Sequence, residues 1–189
     1  MSVFSALQQI DENLLIYLNS LGNETWDSFW LTVTDQFFWW WFYLMISAII
    51  IFKLGWRRGL IAIILIILGL VINDQFINFI KELTGRSRPC NVAHLQEKLR
   101  ILKCTPQKSF FSGHAGLSFS FASYFYFLLR NKIPRWFLLS VFIWAFLLAY
   151  SRIYIGIHYP SDVVIGMLEG SILGFLLAFL FKKRFGNKD

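Results

Sequence analysis

The stretch YSRIYIGIHYPSDVV, residues 150–164, carries three ionisable side chains between two long apolar runs. Arg152, His158 and Asp162 fall within eleven positions. Ionisable groups at a membrane are unfavourable and therefore usually have a function there. His158 and Asp162 are four residues apart, so they can meet across the start of a helix. A carboxylate bonded to one ring nitrogen fixes the tautomer and makes the other nitrogen a better nucleophile or base.

A second polar stretch, SFFSGHAG at residues 109–116, precedes another apolar run. Ser112 and Gly113 are predicted to stand at the start of a helix, where glycine lets the backbone approach an anion and the first amides are unpaired donors. His114 falls in the first turn of the same predicted helix. Because His158 has an orienting carboxylate and His114 does not, the sequence suggests His158 as a nucleophile and His114 as a general acid.

A third polar stretch, KELTGRSRP, covers residues 81–89 at the end of a further apolar run. Lys81 and Arg88, together with Arg152, supply three positive charges. Arginine recognises phosphate through paired hydrogen bonds, and lysine acts as a compact point charge. With the amide of Gly113, these groups would hold phosphate oxygens from several directions. The three stretches therefore predict a phosphoryl-transfer site.

The composition places these residues in a membrane protein. Of the 189 residues, 57% are hydrophobic and only 15% are charged, whereas a soluble domain carries about 25% charged residues. No soluble basic domain carries the net charge of +7, so we expect a lipid phosphate substrate and the lipid bilayer as partners, and no nucleic acid. We expect no cleavable signal peptide, because Asp11 and Glu12 interrupt the N-terminal segment.

Five apolar runs approach the length of about 20 residues that a membrane-spanning helix needs. They cover residues 29–52, 59–80, 114–130, 136–151 and 162–181. Residues 1–25 have apolar positions at roughly helical spacing among polar ones, which predicts an amphipathic helix lying at the membrane interface. The sequence therefore predicts a single domain, residues 1–189, built as an all-α integral membrane bundle of five to six helices.

The two loops that hold the polar stretches must lie on one side of the membrane, because the chain crosses the membrane twice between them. These loops are 81–113 and 151–162. The other side carries short basic segments at 53–58, 130–135 and 182–188. By the positive-inside rule these basic segments are cytoplasmic. We therefore expect the site to face the periplasm or the cell exterior.

Each polar stretch also has a simpler explanation when it is considered alone. Lys81, Arg86 and Arg88 can serve as lipid anchors beside a membrane span. Ser112 can act only as the N-cap of a helix, and the histidine–aspartate pair can be purely structural. Three such stretches on one side of the membrane, with no competing charged cluster, favour the functional interpretation.

Cys90 and Cys104 are the only cysteines, and both fall in the loop 81–113. A disulfide between them is chemically allowed outside the cytoplasm, and it would hold the segment that joins two of the polar stretches. Two free thiols are the alternative. The three histidines and two cysteines lack the spacing of a metal site, so we expect no metal ligands.

In these stretches the sequence resembles the type-2 phosphatidic acid phosphatase superfamily, which includes bacterial lipid phosphatases, glucose-6-phosphatase and the vanadium haloperoxidases. The family signature is K-x6-R-P, then P-S-G-H, then S-R-x5-H-x3-D. KELTGRSRP, FSGH and SRIYIGIHYPSD match it at every charged position. The resemblance covers residues 59–181. Phe111 stands where the family usually has proline, so we expect an altered loop shape rather than lost activity.

The resemblance implies a phosphatidic acid phosphatase type 2/haloperoxidase-like core and a hydrolysis of lipid phosphate that needs neither metal nor cofactor. His158 would attack phosphorus and become a phosphohistidine, Asp162 would orient it, and His114 would protonate the leaving oxygen. The phosphoryl oxygens would be held by Lys81, Arg88, Ser112, Gly113 and Arg152.

The short members of the family imply a bacterial enzyme, so we expect a lipid phosphatase of the bacterial inner membrane. The short loops and the lack of a soluble domain leave little of the chain to recognise an elaborate headgroup. Undecaprenyl pyrophosphate is the first expected substrate, and the 1-phosphate of lipid A and phosphatidylglycerol phosphate are the alternatives. A haloperoxidase is disfavoured because those enzymes are soluble. A non-catalytic lipid-binding or transport protein on the same fold is a remote alternative, since His114, His158 and Asp162 are all present.

Overall fold

The computed structural model describes residues 3–186, with side chains from residue 5 onward, and this part of the chain contains helices and no strand. Within it, eight α-helices follow one another: α1 Val3–Ser20, α2 Glu24–Thr34, α3 Trp40–Leu54, α4 Trp56–Thr84, α5 Ala93–Gln96, α6 Gly113–Leu129, α7 Arg135–Tyr154 and α8 Pro160–Phe185. Short 3₁₀ helices cover Gln36–Trp39 and Pro89–Asn91. Lys188 of the predicted basic tail lies outside the described residues. The predicted all-α architecture is confirmed.

Within the described range, four helical segments are long and apolar enough to cross a membrane: α3 with its preceding 3₁₀ helix, α4 with the turns that follow it, α7 and α8. The fifth predicted span corresponds to α6, which has 17 residues and extends about 26 Å at the usual rise per residue. Most side chains of α6 are buried against the other helices. The protein is therefore a multi-pass membrane bundle arranged around α6.

A stripe of glycines packs α8 closely against α6. Gly166, Gly170 and Gly174 follow one another at four-residue intervals on α8. A Cβ atom at Gly170 would lie 2.1 Å from the carbonyl oxygen of Gly116, and one at Gly174 would lie 2.2 Å from that of Ser120. Glycine alone permits backbones to approach this closely, as in other small-residue contacts between membrane helices. This contact sets the spacing between the N-termini of α6 and α8, where two polar stretches are located.

Helix direction gathers the three polar stretches at one end of the bundle. Helices α4 and α7 end there and α6 and α8 begin there, and all three stretches contribute to one cavity. The α3–α4 connection at Gly55, the turn 130–134 and the basic C-terminal end of α8 lie at the opposite end. The basic segments used to predict the orientation are thus remote from the cavity. The orientation itself stays a prediction.

The predicted start of the first span was wrong. The apolar run predicts a span over residues 29–52, but the chain turns at Asp35 and the span begins only with the following 3₁₀ helix. The Asp35 carboxylate stabilises this turn by accepting a hydrogen bond from the Phe37 amide at 3.0 Å. The preceding residues belong to α2, which packs against α7. The break brings Thr34 and Asp35 to the cavity.

The boundaries of α4 also differ from those predicted. Only Gly55 separates α3 from α4, so the basic loop expected there is largely helical. At its other end α4 continues to Thr84, where Gly85 adopts a φ of 61° and ends the helix, as glycine commonly does. The predicted loop 81–113 therefore begins only after Thr84. Lys81 extends from a helix rather than from a loop.

Helices α1 and α2 are anchored at the cavity end of the bundle. Asn19 of α1 is fully buried, and its side-chain amide donates to the carbonyl oxygen of Tyr154 at 2.7 Å. The Asn19 side-chain oxygen accepts from the Arg100 amide at 2.7 Å, and the Arg100 guanidinium pairs with Asp27 of α2 at 2.8 Å. These contacts join α1, α2, α7 and the loop before α6. The predicted location of α1 at the membrane interface stays a prediction.

Candidate active site

A cavity of about 490 Å³ opens where the helix ends meet. Its walls come from the start of the first span, α4, the loop after α4, α6, α7 and the segment before α8. Six of the predicted site residues line it: Lys81, Arg88, Gly113, His114, Arg152 and His158. Ser112 and Asp162 lie behind this lining, in contact with it. The structure therefore brings all three polar stretches together.

His158 lies in the segment between α7 and α8 and is held from behind by a carboxylate. Its Nδ1 atom is 3.4 Å from Asp162 Oδ2 and 3.4 Å from the Ser109 hydroxyl. Because the carboxylate is the acceptor, Nδ1 carries the proton and Nε2 keeps its lone pair. The same Asp162 oxygen accepts the Tyr159 amide at 3.1 Å. The arrangement suits an attacking imidazole with an orienting carboxylate.

Burial lowers the pKa of His158 to about 4, well below the usual histidine value of about 6.5. The hydrogen bond and the charge of Asp162 favour the imidazolium and oppose this shift. Arg152 and Arg88 repel the imidazolium and add to the lowering of the pKa. The ring is therefore neutral at physiological pH, which is the form that can attack phosphorus.

Two buried arginines carry donors that the protein itself leaves unsatisfied. Arg88 Nε donates to the carbonyl oxygen of Gln107 at 3.0 Å, and Arg152 Nη1 donates to the hydroxyl of Thr34. Across residues 3–186, however, the buried atoms Arg88 Nη1 and Arg152 Nε have no hydrogen-bond partner. A buried charged donor without a partner is unfavourable. Both groups line the cavity, so they suit a site that a bound anion completes.

The N-terminus of α6 forms another wall of this anion site. A Cβ atom built on Gly113 would lie 3.7 Å from Lys81 Nζ, so the ammonium group stands beside the first amides of the helix. Such amides and the helix dipole both favour negative charge. The Ser112 hydroxyl caps α6, 3.5 Å from the Ala115 amide, and the Ser112 amide donates to the Asp162 carbonyl oxygen at 3.0 Å. Ser112 thus ties the start of α6 to that of α8, and its contact with phosphate stays a prediction.

His114 lines the cavity from the first turn of α6. Its Nε2 atom is 3.2 Å from the carbonyl oxygen of Thr34. A carbonyl can only accept, so Nε2 is the donor. The other ring nitrogen, Nδ1, is then the atom that can exchange a proton with a bound substrate. Thr34 therefore positions His114 through its carbonyl and Arg152 through its hydroxyl.

Sequence reasoning missed four residues that contact the predicted site: Thr34, Arg86, Gln107 and Ser109. The sequence suggests Arg86 only as a lipid anchor, yet Arg86 donates to Asp162 Oδ1 at 2.6 Å. Its position between Lys81 and Arg88 in the sequence could have indicated a role in the site. Thr34 and Gln107 carry no such signal, because they come from segments outside the three polar stretches.

Cys90 and Cys104 form a disulfide, with an S–S distance of 2.02 Å and a Cα–Cα distance of 5.8 Å. It closes the segment 90–104, which contains Lys103, and holds together its two ends, next to which Arg88 and Thr105 line the cavity. Over the described part of the chain, no three His, Cys, Asp or Glu side chains are grouped to hold a metal ion. The expected absence of a metal stays a prediction.

Known proteins are similar to this chain in sequence and in fold. The family model of the PAP2 superfamily matches residues 58–188. A lipid A 4'-phosphatase of Bacteroides thetaiotaomicron is 32% identical over 181 residues, which cover 94% of this chain and 79% of that protein. An undecaprenyl-diphosphatase of Sulfolobus acidocaldarius is 29% identical over 164 residues, or 86% of this chain and 67% of that protein. The crystal structure of a PAP2-type phosphatidylglycerolphosphate phosphatase from Bacillus subtilis superposes on this chain with a TM-score of 0.76, over 97% of this chain and 90% of the other. At 21% sequence identity, this similarity concerns the fold alone.

Proposed function

We propose that this chain, which belongs to the PAP2 superfamily and is a lipid phosphatase, hydrolyses a phosphate monoester on the sugar headgroup of a lipid A-type glycolipid. Membership confirms the resemblance carried by the three polar stretches. The choice of substrate rests on the chemistry of the cavity rim and is supported by the 32% identity to a lipid A 4'-phosphatase. Undecaprenyl pyrophosphate, the first expectation from sequence, becomes the second candidate.

In the proposed reaction, the Nε2 lone pair of His158 attacks phosphorus while the bond from phosphorus to the sugar oxygen breaks. His114, which must carry a proton on Nδ1 as well as on Nε2 at this step, protonates that oxygen from Nδ1, and the glycolipid leaves as an alcohol. Water then attacks the phosphohistidine, with the neutral His114 taking the proton from water, and inorganic phosphate is released. Lys81, Arg88 and Arg152 stabilise the charge on the three non-bridging oxygens in both steps.

The floor of the cavity is basic, whereas its rim contains carboxylates and amides. This difference supports the proposed choice of substrate. The floor bears the phosphate-binding arginines. Around it, the exposed lining residues are mostly polar: Asp35, Gln36, Asn78, Lys103 and Gln107, with Phe37 among them. The charges of Asp35 and Lys103 cancel, and Asp74, which is half-buried like Lys81, adds a carboxylate next to them. Carboxylates and amides bind hydroxyl groups well but carboxylates repel a second phosphate, so the rim favours a neutral, hydroxylated leaving group.

Undecaprenyl diphosphate is the second candidate because Lys103 lines the cavity rim. A lysine at this place can pair with the second phosphate of a diphosphate. The relative from Sulfolobus acidocaldarius bears the name of this activity. The glycolipid candidate therefore depends on the carboxylates of the rim, and the diphosphate candidate depends on the lysine.

Side-by-side assays of the purified protein in detergent distinguish these substrates. The panel contains a lipid A-type 4'-monophosphate, the corresponding 1-monophosphate, phosphatidylglycerol phosphate and undecaprenyl diphosphate. We expect the highest kcat/KM on a glycolipid monophosphate. A clear preference for undecaprenyl diphosphate would overturn the proposed substrate while leaving the phosphatase activity in place.

Variants of two charged cavity residues, Asp74 and Lys103, test whether the rim selects between the glycolipid and the diphosphate. Asp74→Asn removes one repulsive charge at nearly constant shape, so the ratio of diphosphate to glycolipid kcat/KM should rise about tenfold, or about 1.4 kcal/mol. Lys103→Ala should lower the same ratio. Unchanged ratios in both variants would show that the rim does not select the leaving group.

We further propose that the protein resides in a bacterial inner membrane with the cavity outside the cytoplasm. The basic segments at the opposite end of the bundle support this orientation. The disulfide between Cys90 and Cys104, which lies in the cavity loop, suits an oxidising compartment.

A further inference from the structure

A largely buried chain of ion pairs links the N-terminal helix to the carboxylate behind His158. Arg86 donates from Nη2 to Asp11 Oδ2 at 2.6 Å and from Nη1 to Asp162 Oδ1 at 2.6 Å. Its guanidinium also lies over the Tyr159 ring, 3.8 Å from the centroid. The side chains of Asp11, Arg86 and Asp162 are 11%, 27% and 0% exposed. A planar guanidinium can hold two carboxylates in fixed directions, which a lysine ammonium cannot.

Asp11 also binds the backbone that carries Asp162. The Ser161 amide donates to Asp11 Oδ1 at 2.9 Å, and the Ser161 hydroxyl donates to Asp11 Oδ2. Arg86 Nη1 in turn donates to the Ser161 hydroxyl at 2.8 Å. Asp11 thus contacts both the side chain that holds Asp162 and the residue that precedes it.

The two carboxylate oxygens of Asp162 accept hydrogen bonds from different groups. Oδ2 accepts from His158 Nδ1, from the Ser109 hydroxyl and from the Tyr159 amide. Oδ1 accepts from Arg86. If Arg86 were free to pivot, the carboxylate could rotate and Oδ2 would lose its alignment with His158. The second carboxylate on Arg86, that of Asp11, prevents this pivoting.

We propose that Asp11 is a positioning residue for the reaction: through Arg86 it fixes Asp162, and thereby the attacking ring of His158. Helix α1 is then part of the catalytic apparatus in addition to any contact with the membrane. Asp11 precedes residues 58–188, which the family model matches. The proposal rests on the phosphohistidine mechanism proposed above, but it does not depend on which lipid phosphate is the substrate.

The adjacent residue supplies a matched control. Glu12 is buried, with 6% exposure, and pairs with His94 of α5 at 2.9 Å. Its described hydrogen bonds go to His94 and Gln8, not to Arg86. Glu12→Gln therefore removes one charge and one ion pair from the same helix while every hydrogen bond of the chain to Asp162 stays in place, and the Arg86 charge acts on Glu12 only through space. If Asp11 only docks α1, both variants should behave alike.

The experiment compares Asp11→Asn, Asp11→Glu and Glu12→Gln by kcat, KM and thermal unfolding on the lipid phosphate that the wild type hydrolyses fastest. Asp11→Asn should lower kcat about tenfold or more, because the attacking ring is misplaced. Its KM should stay within about twofold, because the phosphate-binding groups are unchanged. Glu12→Gln should keep its kcat, and Asp11→Glu should regain part of the loss.

A second measurement needs no turnover. Orthovanadate is a phosphate analogue that accepts a fifth ligand, so under the proposed mechanism it bonds to the attacking nitrogen of His158. Its Kd, measured by calorimetry, then reports the orientation of the ring. The Kd should rise about tenfold in Asp11→Asn and stay unchanged in Glu12→Gln. Equal effects of the two variants on kcat and on vanadate Kd would overturn the positioning role. A wild type that binds vanadate but hydrolyses no lipid phosphate would instead contradict the proposed function, and the vanadate comparison would still decide the role of Asp11.

Discussion

Replacing Gly170 by alanine should separate α8 from α6 and lower activity in a protein that stays folded. The new Cβ atom would lie 2.1 Å from the Gly116 carbonyl oxygen and 2.9 Å from the Ser120 amide nitrogen. Cβ atoms essentially never approach other heavy atoms below 3.0 Å, so the backbones must move apart by at least 0.9 Å, which is 3.0 minus 2.1. Backbone atoms form the obstacle, so no change of rotamer relieves it.

This displacement reaches the site because the two helices carry opposite halves of it. Asp162 lies on α8 two turns before Gly170, and His114 lies in the first turn of α6. A misplacement of about 1 Å between reacting groups can lower the rate about 100-fold. Overpacking of this kind destabilises by about 1–3 kcal/mol, which is less than the about 5–15 kcal/mol stability of a typical domain.

The assay is kcat/KM on a lipid phosphate in detergent, with thermal unfolding and gel filtration of each variant. We expect a loss of about 100-fold for Gly170→Ala. Ile172→Ala lies nearby on the same helix but on an exposed face, with 61% exposure, and serves as the control. It should retain activity within about twofold. A folded Gly170→Ala variant with wild-type kcat/KM would refute the idea that the glycine stripe sets the catalytic geometry.

Three further predictions concern the site and its side of the membrane. The acid side of the pH profile of kcat/KM reports His158, because burial lowers the pKa of this histidine to about 4. After correction for a substrate phosphate whose second pKa is about 6, kcat/KM on the acid side should fall as the pH drops through about 4; a midpoint near the ordinary histidine value of about 6.5 would contradict this. His114→Ala should reduce hydrolysis of an aryl phosphate far less than that of a lipid phosphate, because the aryl leaving group needs little protonation; equal losses would exclude a general acid. The orientation can be tested with single cysteines at the exposed positions Ala93 and Lys183, in a chain with both native cysteines replaced. In intact cells, a membrane-impermeant thiol reagent should label the cysteine at position 93 and leave the one at position 183 unlabelled. The reverse pattern would place the cavity in the cytoplasm.

The class of the protein and its reactive groups could be predicted from the sequence because both depend on local order along the chain. Apolar runs of helical length determine a membrane bundle whatever the tertiary contacts are. His158 and Asp162 are four residues apart, and Ser112, Gly113 and His114 are consecutive. Spacing within one turn decides which groups meet at a helix start. The number of crossings between the stretches then places them on one side of the membrane.

Other features followed only from the tertiary structure. The glycine stripe on α8 is visible in the sequence, but the helix that packs against it, α6, is not. Nearly every face of a membrane helix is apolar, so the apolar pattern does not show which face contacts lipid and which contacts another helix. Thr34 reaches the cavity only through the turn at Asp35, and Asp11 meets Arg86 across 75 positions of sequence. Burial of His158, which keeps its ring neutral, likewise depends on how the helices pack. Contacts between distant segments are set by the packing of whole helices, and the local sequence of either partner does not encode them.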